Sequence, residues 1–388
     1  MMLSPLKIGF ITTYSSIYPD HANNIINGLF AGLCKDIYTQ HDYQFIQEYV
    51  GQGKETDVKQ AVQKLLNFHN VDIIMGYISY KVIPNLIPLI ESRQKLAFFF
   101  DMGEYLPSLN YTSPNIFHSS YQLWQGEYAL GHWAHKNFGD KGAVLMPPYD
   151  GGYHLAASFR HGAIAAGSEL MDFHILSLNH NEPHVLDMEV LLNNIENEPP
   201  AYLHALFSGP QAIEFIKAFY ERGLEKKVPL LLSEPMCFPD VLKEITGFPL
   251  SFYSCSQWTR EMAGEMNDAF VRIVEGQSGR AADVFSLLGF EAGMTLKEME
   301  PAMQRRDWKK VMEYLQTDKK KGPRGEVNFF PKSGFLLPDV DIVKLNVSGI
   351  NVSTVVVERG KRLAFNDITF REIHEESVSG WQNPYLCI

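Results

Sequence analysis

The stretch DVKQAVQKLLNFHNVDIIMGYIS, residues 57–79, contains the pattern that decides the fold. Its second part, VDIIMGY (71–77), is a short apolar run rich in β-branched side chains, which is typical of a buried parallel strand. Its first part predicts a helix, because apolar residues recur there at helical spacing at Val58, Val62, Leu65 and Leu66. The stretch therefore predicts a helix that leads into a strand, with a loop beginning near Ser79.

The same alternation continues on both sides of this stretch. Further strands are predicted at KIGFITTY (7–14), YQFIQEYV (43–50) and KLAFFF (95–100), with helices over residues 25–33 and 83–90 between them. Alternating strands and helices joined by short loops predict an α/β fold with a doubly wound parallel sheet and right-handed crossovers.

A second series of strands and helices begins after SPNIFHSS (113–120), and 388 residues exceed the usual size of one core. We therefore predict two doubly wound lobes joined by three crossings. The extended stretch FPLSFYSCSQW (248–258) is predicted to lead back into the first lobe, and DIVKLNV (341–347) and STVVVERG (353–360) are predicted to form an antiparallel pair. The predicted first lobe comprises residues 1–119 and 259–328, and the second comprises 120–258 and 329–388.

Composition excludes several classes of protein. The net charge of -11 and the lack of a basic stripe beyond Lys319–Lys321 argue against a nucleic-acid partner. No apolar run reaches the length of a membrane span, and four widely spaced cysteines indicate neither a zinc site nor a disulfide framework. His132 and His135 lie at a metal-binding spacing without a third ligand nearby in sequence, so we expect no metal and no cofactor.

The chain resembles the branched-chain amino-acid type of periplasmic binding proteins, which are the substrate-binding components of ABC importers and share their fold with amide sensors. The resemblance covers roughly residues 6–346. It rests on the order and spacing of several stretches: KIGFITTYSSIYPD (7–20), residues 57–79, GDKGAVLMPPYDGGYHLAASF (139–159), VFSLLGFEAGMTL (284–296) and GPRGEVNF (322–329). It implies the type I periplasmic binding fold, in which loops at the carboxyl ends of the strands of two lobes form one ligand cleft.

The resemblance also implies ligand contacts in the first lobe. Ser79 matches the family's carboxylate-binding serine, although a serine at this place is equally well explained as a helix N-cap. Asp101, Met102 and Gly103 follow the next strand, where the family offers backbone N–H groups. An acid such as Asp101 repels a ligand carboxylate unless its side chain points away or caps the loop, and it makes a neutral amide or urea-like ligand credible.

Further contacts are implied on both lobes. Glu234, in LLSEPM (231–236), matches the family's acidic residue for the ligand ammonium, with an exposed loop Glu as the alternative. The other expected contacts enclose the ligand: Tyr18, Tyr77, Ile78, Tyr149, Asp150, Tyr153 and Phe285. Tyr77 is explained equally well as part of the strand core.

We therefore predict a solute-binding protein, not an enzyme, that closes around a small polar ligand, most simply an amino acid, and docks on an ABC permease. A sensor of amides, urea-like compounds or small carboxylates on the same fold is the alternative. The first residues, MMLSPLKIGF, show no signal-peptide pattern. The expected location is periplasmic if an export signal has been removed, and cytoplasmic otherwise.

Overall fold

The computed structural model describes residues 4–108, 110–148, 153–176, 187–317, 319–330, 339–363 and 367–376. The chain divides into two compact units, one comprising Met1–Gln122 and Trp258–Pro338, the other Leu123–Gln257 and Asp339–Cys387. The predicted lobe borders lay at 119/120, 258/259 and 328/329. The borders between the two units lie at 122/123, 257/258 and 338/339.

The first unit begins with a five-stranded sheet. Its strands are β1 (Leu6–Thr12), β2 (Tyr43–Tyr49), β3 (Ile73–Tyr77), β4 (Leu96–Asp101) and β5 (Ile116–Ser120), and the helices between them are α1 (His21–Gly32), α2 (Glu55–Asn67) and α3 (Ile83–Ser92). The strand order is β2-β1-β3-β4-β5, and all four neighbouring pairs are parallel. The predicted strand at residues 71–77 is confirmed, and every residue of β3 is buried.

The second unit repeats the α/β pattern. Its elements in chain order are α4 (Leu123–Phe138), β6 (Gly142–Met146), α5 (Leu155–Ala165), β7 (Met171–Ile175), α6 (Glu189–Asn197), β8 (Leu203–Ala205), α7 (Gly209–Glu221), β9 (Leu230–Leu232), α8 (Pro239–Glu244) and β10 (Ser251–Ser256). Strands β7, β6, β8, β9 and β10 are successive parallel neighbours. The α/β class predicted from the sequence is confirmed in both units.

The chain then returns to the first unit and finally to the second. The returning segment holds α9 (Glu265–Ser278), α10 (Val284–Glu298), α11 (Glu300–Gln304), α12 (Trp308–Thr317) and the hairpin of β11 (Lys320–Gly322) and β12 (Gly325–Val327). The last elements are β13 (Asp341–Ser348), β14 (Asn351–Arg359) and α13 (Asp367–Glu375). The predicted antiparallel pair is confirmed, since β13 pairs antiparallel with both β14 and β10.

None of the helices in the described ranges has the length and hydropathy that crossing a membrane requires.

Helices α1 and α10 pack against each other at backbone distance. A Cβ atom on Gly28 would lie 2.0 Å from the carbonyl oxygen of Ser286, and one on Gly289 would lie 2.0 Å from that of Ile25. Only a residue without a side chain fits at such a contact. These glycines therefore fix the position of the α10 N-terminus, including Phe285, beside the loop that follows β1.

Substitution of Gly289 by alanine tests this contact. We expect Gly289→Ala to lower the free energy of unfolding by about 1–3 kcal/mol, because the added methyl group overpacks the helix pair. The control is Gly276→Ala in α9, where a Cβ meets nothing within 4 Å and alanine is expected to stabilise the helix by about 0.5–1 kcal/mol. Urea denaturation followed by circular dichroism measures both. Equal stability of the two variants would contradict the close packing.

Candidate functional site

The candidate site in the first unit lies where β1, β3 and β4 end. Because the strands are parallel, their carboxyl ends meet at one edge of the sheet, and the loops after Thr12, Tyr77 and Asp101 come together there. In open α/β sheets this edge is where ligands bind.

Three of the predicted aromatic contacts converge at this edge. The ring of Phe285 lies 5.2 Å from that of Tyr18 and 6.1 Å from that of Tyr77, measured between centroids. Tyr77 and Phe285 are buried, whereas Tyr18 is half-buried. These rings offer a ligand an apolar surface with a polar tip on each tyrosine.

His21 completes this aromatic cluster and was not found from the sequence. Its ring lies 5.3 Å from Tyr77 and 5.8 Å from Phe285. Burial lowers the pKa of His21, although the hydrogen bond to the Tyr18 carbonyl and the charge of Asp283 oppose this. The neutral ring donates from Nδ1 to the Tyr18 oxygen at 2.7 Å, so Nε2 accepts from the Thr13 hydroxyl at 3.1 Å. His21 thereby fixes the loop that carries Tyr18.

The carboxylate of Asp101 is used inside the protein. Oδ1 accepts hydrogen bonds from the Gly103 N–H at 2.8 Å and from the Ser120 hydroxyl at 2.5 Å, while Oδ2 lies 3.1 Å from Nδ1 of His118. Gly103 takes a φ of +77°, which favours glycine at this turn. Of the two orientations considered from the sequence, Asp101 adopts the one that caps its own loop.

Ser79 and Ile78 both have roles in the fold. The Ser79 hydroxyl caps the 3-10 helix Tyr80–Val82 and accepts from the Lys81 N–H at 3.4 Å. Ile78 belongs to the apolar core cluster with Val82 and Leu86. The structure thus places the Ile78 side chain in the core instead of beside the aromatic cluster, since successive side chains at a strand end point to opposite faces.

Glu104 is a second acid in the same loop, and it was not singled out from the sequence. It is fully buried, and neither carboxylate oxygen makes a hydrogen bond of ordinary geometry with any residue that the structure describes. Burial, reinforced by the charge of Asp101, raises the pKa of Glu104 to about 8, and N–H groups of the loop together with the Ser79 hydroxyl offset only part of this rise. At neutral pH the group is mainly an uncharged carboxylic acid.

A buried ion pair is connected to this loop by hydrogen bonds. The guanidinium of Arg324 donates to Glu291 of α10 at 3.0 Å and to the carbonyl oxygens of Ser120 at 2.8 Å and Tyr121 at 3.3 Å. Ser120 in turn donates to Asp101. A continuous set of hydrogen bonds therefore runs from α10 through the β11–β12 hairpin to the loop after β4.

In the second unit, Glu234 begins the 3-10 helix Glu234–Cys237 after β9, and it is buried instead of exposed. Oε1 accepts from the backbone N–H of Gln257 at 2.9 Å and Oε2 from its side-chain amide at 3.3 Å.

Tyr153, just before α5, is also buried. Tyr149 and Asp150 lie outside the described residues, and Met102 is buried in the first unit.

In the described part of the chain, no three or more His, Cys, Asp or Glu side chains are grouped as a metal site would require.

A family model and several solved structures match this chain, and they point to the same class of protein. The family model described as periplasmic binding protein matches residues 5–349. A substrate-binding protein of an ABC transporter from Sphaerobacter thermophilus superposes with a TM-score of 0.76 at 20% identity, over 92% of this chain and 97% of that one. No curated protein matches the sequence.

Two further solved structures differ in what they are described as binding. A solute-binding protein of an ABC transporter from Rhodopseudomonas palustris BisB5, in complex with 3,4-dihydroxybenzoic acid, has a TM-score of 0.73 at 18% identity, over 94% of this chain and 99% of that one. A leucine-binding protein from Thermotoga maritima MSB8 has a TM-score of 0.64 at 15% identity, over 90% and 98%. At these identities the likeness shows the fold.

The buried acid Glu104 predicts a pH dependence of stability. Its pKa rises from an ordinary 4.5 to about 8 on folding, so between these values the unfolded chain releases a proton that the folded chain retains. Stability then falls with rising pH by about 1.4 kcal/mol per pH unit in that window. We expect Glu104→Gln to remove this slope between pH 5 and pH 8 in urea denaturation.

The control for this measurement is Glu55→Gln, because Glu55 is an exposed glutamate of α2. It is expected to keep the wild-type slope. If wild type and Glu104→Gln lose stability in parallel as the pH rises, the Glu104 carboxyl group does not carry the effect.

Proposed function

Because the chain belongs to the periplasmic binding protein family over most of its length, we propose that it is a solute-binding component of an ABC importer. In this proposal the protein binds a small polar molecule outside the cytoplasm, delivers it to a permease and catalyses no reaction. The observation that carries this proposal is the convergence of Tyr18, His21, Tyr77 and Phe285 with the Ser79 and Asp101 loops at the carboxyl edge of the first unit's sheet.

The first candidate ligand is an amino acid. Glu234 supports it, since a buried carboxylate that follows a strand end is a group of the chemistry that pairs with an ammonium.

Two other ligand classes follow from specific observations. Aromatic carboxylates are favoured by the ring cluster and by the R. palustris protein, which holds 3,4-dihydroxybenzoic acid. Amides and urea-like compounds are favoured by the two acids Asp101 and Glu104 in one loop, because neither acid attracts a ligand carboxylate. A ligand of this last class fits a sensor on the same fold as well as an importer.

A thermal-shift panel separates these classes. We expect leucine, if it is the ligand, to raise the melting temperature, with a stabilisation that grows as the logarithm of its concentration over its dissociation constant. Glu234→Ala and Glu234→Gln are expected to abolish the shift because the ammonium loses its counter-charge. Urea, acetamide, benzoate and 4-hydroxybenzoate complete the panel.

The control is Glu214→Gln, an exposed glutamate of α7 in the same unit. It is expected to respond as the wild type does. A shift with leucine that survives Glu234→Gln would exclude Glu234 as the ammonium partner, and no shift with any solute of the panel would withdraw support from the importer assignment.

A further inference from the structure

A groove lies along the outer edge of the first unit's sheet, apart from the candidate site. It has a volume of about 680 Å³ and is bounded by α1, the loop that follows α1, β2 and the end of α9. Its lining includes no residue of the aromatic cluster and none of the loops of Ser79 and Asp101. Its volume falls within the range that is typical of ligand sites.

The outer edge of β2 carries main-chain groups that the fold leaves open. Among the described strands, β2 stands at one end of the sheet, beside β1. The Val50 N–H donates to the Thr12 carbonyl at 3.0 Å, so the even-numbered residues of this strand direct their main-chain groups at β1 and the odd-numbered ones direct them outward. None of the hydrogen bonds found in the described ranges involves the outward groups of Phe45 or Gln47.

One position of this edge is occupied by a side-chain amide of the chain itself. Gln40 accepts from the Tyr43 N–H through Oε1 at 2.8 Å and donates to the Tyr43 carbonyl through Nε2 at 3.1 Å. An added strand makes the same two kinds of bond with each outward residue. The edge is therefore blocked at Tyr43 and open at the next two outward residues, Phe45 and Gln47, and an open edge is a template for pairing with another chain.

The groove beside the open edge has an apolar floor and amide groups around it. The floor contains Phe30 of α1 and Phe45, whose ring centroids lie 5.3 Å apart. Several side-chain amides that line the groove make no hydrogen bond with any residue that the structure describes. They belong to Asn23, Asn27, Gln47 and Gln277. A side-chain amide both donates and accepts, so it suits the N–H and C=O groups of a peptide chain.

The charged groups of the groove have partners within the protein. Nη1 of Arg280 lies 2.7 Å from Oδ2 of Asp20. Oδ1 of Asp36 accepts from the N–H groups of Tyr38 at 2.7 Å and Thr39 at 3.3 Å. Because each of these charges is already compensated, the groove complements an uncharged ligand better than an ion.

We propose that this groove binds an extended, uncharged peptide segment of a partner protein, which pairs with β2 at Phe45 and Gln47. Along α1 the groove extends from Asn23 to Phe30, about 10 Å of helix, which is the length of about three extended residues. Main-chain hydrogen bonds to β2 hold the segment, and a side chain that faces α1 packs on the apolar floor. Gln40 limits the segment at one end, since its amide occupies the next position of the edge.

A defined peptide tests this inference on the full chain. The probe is a capped pentapeptide of alternating valine and threonine, acetyl-VTVTV-amide, and its binding is measured by calorimetric titration. We expect a dissociation constant of about 1 mM or tighter. The control peptide has the same sequence with an N-methyl group on every residue. It is expected to bind about tenfold or more weakly, because it lacks the N–H donors that an added strand needs.

Two variants test the strand edge and the groove separately. Gln47→Pro removes an outward N–H and keeps the bonds from β2 to β1, since proline is tolerated on an edge strand where its nitrogen faces away from the sheet. Asn27→Trp fills the groove from α1 without changing β2. We expect each variant to weaken binding of the probe about tenfold or more. The control is Gln44→Ala, an exposed glutamine of β2 whose side chain lies on the other face of the sheet, and it is expected to bind as the wild type does.

Circular dichroism verifies that each variant is folded, and sedimentation velocity of the wild type measures self-association. Binding that both folded variants and the N-methylated peptide lose, and that Gln44→Ala keeps, supports the inference. Absence of binding to the probe, or unchanged binding in either folded variant, overturns it. A wild-type dimer that Gln47→Pro dissociates also overturns it, because the occupant of the groove is then a second copy of this chain.

Discussion

The buried ion pair of Arg324 and Glu291 holds together the segments on which the first unit's site depends. A buried guanidinium needs hydrogen-bond acceptors for its N–H groups. Arg324 finds them in a carboxylate of α10 and in the backbone carbonyls of Ser120, at the end of β5, and Tyr121. Loss of one partner of such a pair costs about 3–5 kcal/mol, because the other charge stays buried. The loop after β4 is attached to this arrangement through the Ser120 hydroxyl.

That attachment explains how two acids of one loop take different roles. Asp101 lies at the end of β4, in register with Ser120 of β5, and parallel pairing brings it within reach of the hydroxyl and of His118. Glu104 lies beyond the turn at Gly103 and outside that register. Its surroundings are therefore set by burial and by Asp101, and both raise the pKa of Glu104.

The sequence predicted most of the fold and part of the site. Strands such as residues 71–77 were recognisable because a short apolar run in an α/β pattern has few alternatives. The convergence of Tyr18 and Phe285 followed from family resemblance, since the 266 residues between them carry no local signal. Glu104 and His21 were missed because a glutamate in a loop and a histidine at a helix start are usually exposed, and only tertiary packing buries them. Ile78 was expected at the site because it precedes Ser79 in sequence, but its side chain points to the opposite face and packs in the core.

The contact between α1 and α10 also has a consequence for synthesis. Asn24 and Asp283 are hydrogen-bonded although they are 259 positions apart, and the second unit's residues 123–257 are inserted between them. The apolar face of α1 therefore lacks its partner α10 until most of the chain has been synthesised. Residues 123–257 of the second unit can fold before α10 is made. Such a long-range closure slows folding. A delay of this kind leaves apolar surface of the nascent first unit exposed for longer, and surface exposed in this way is prone to aggregation.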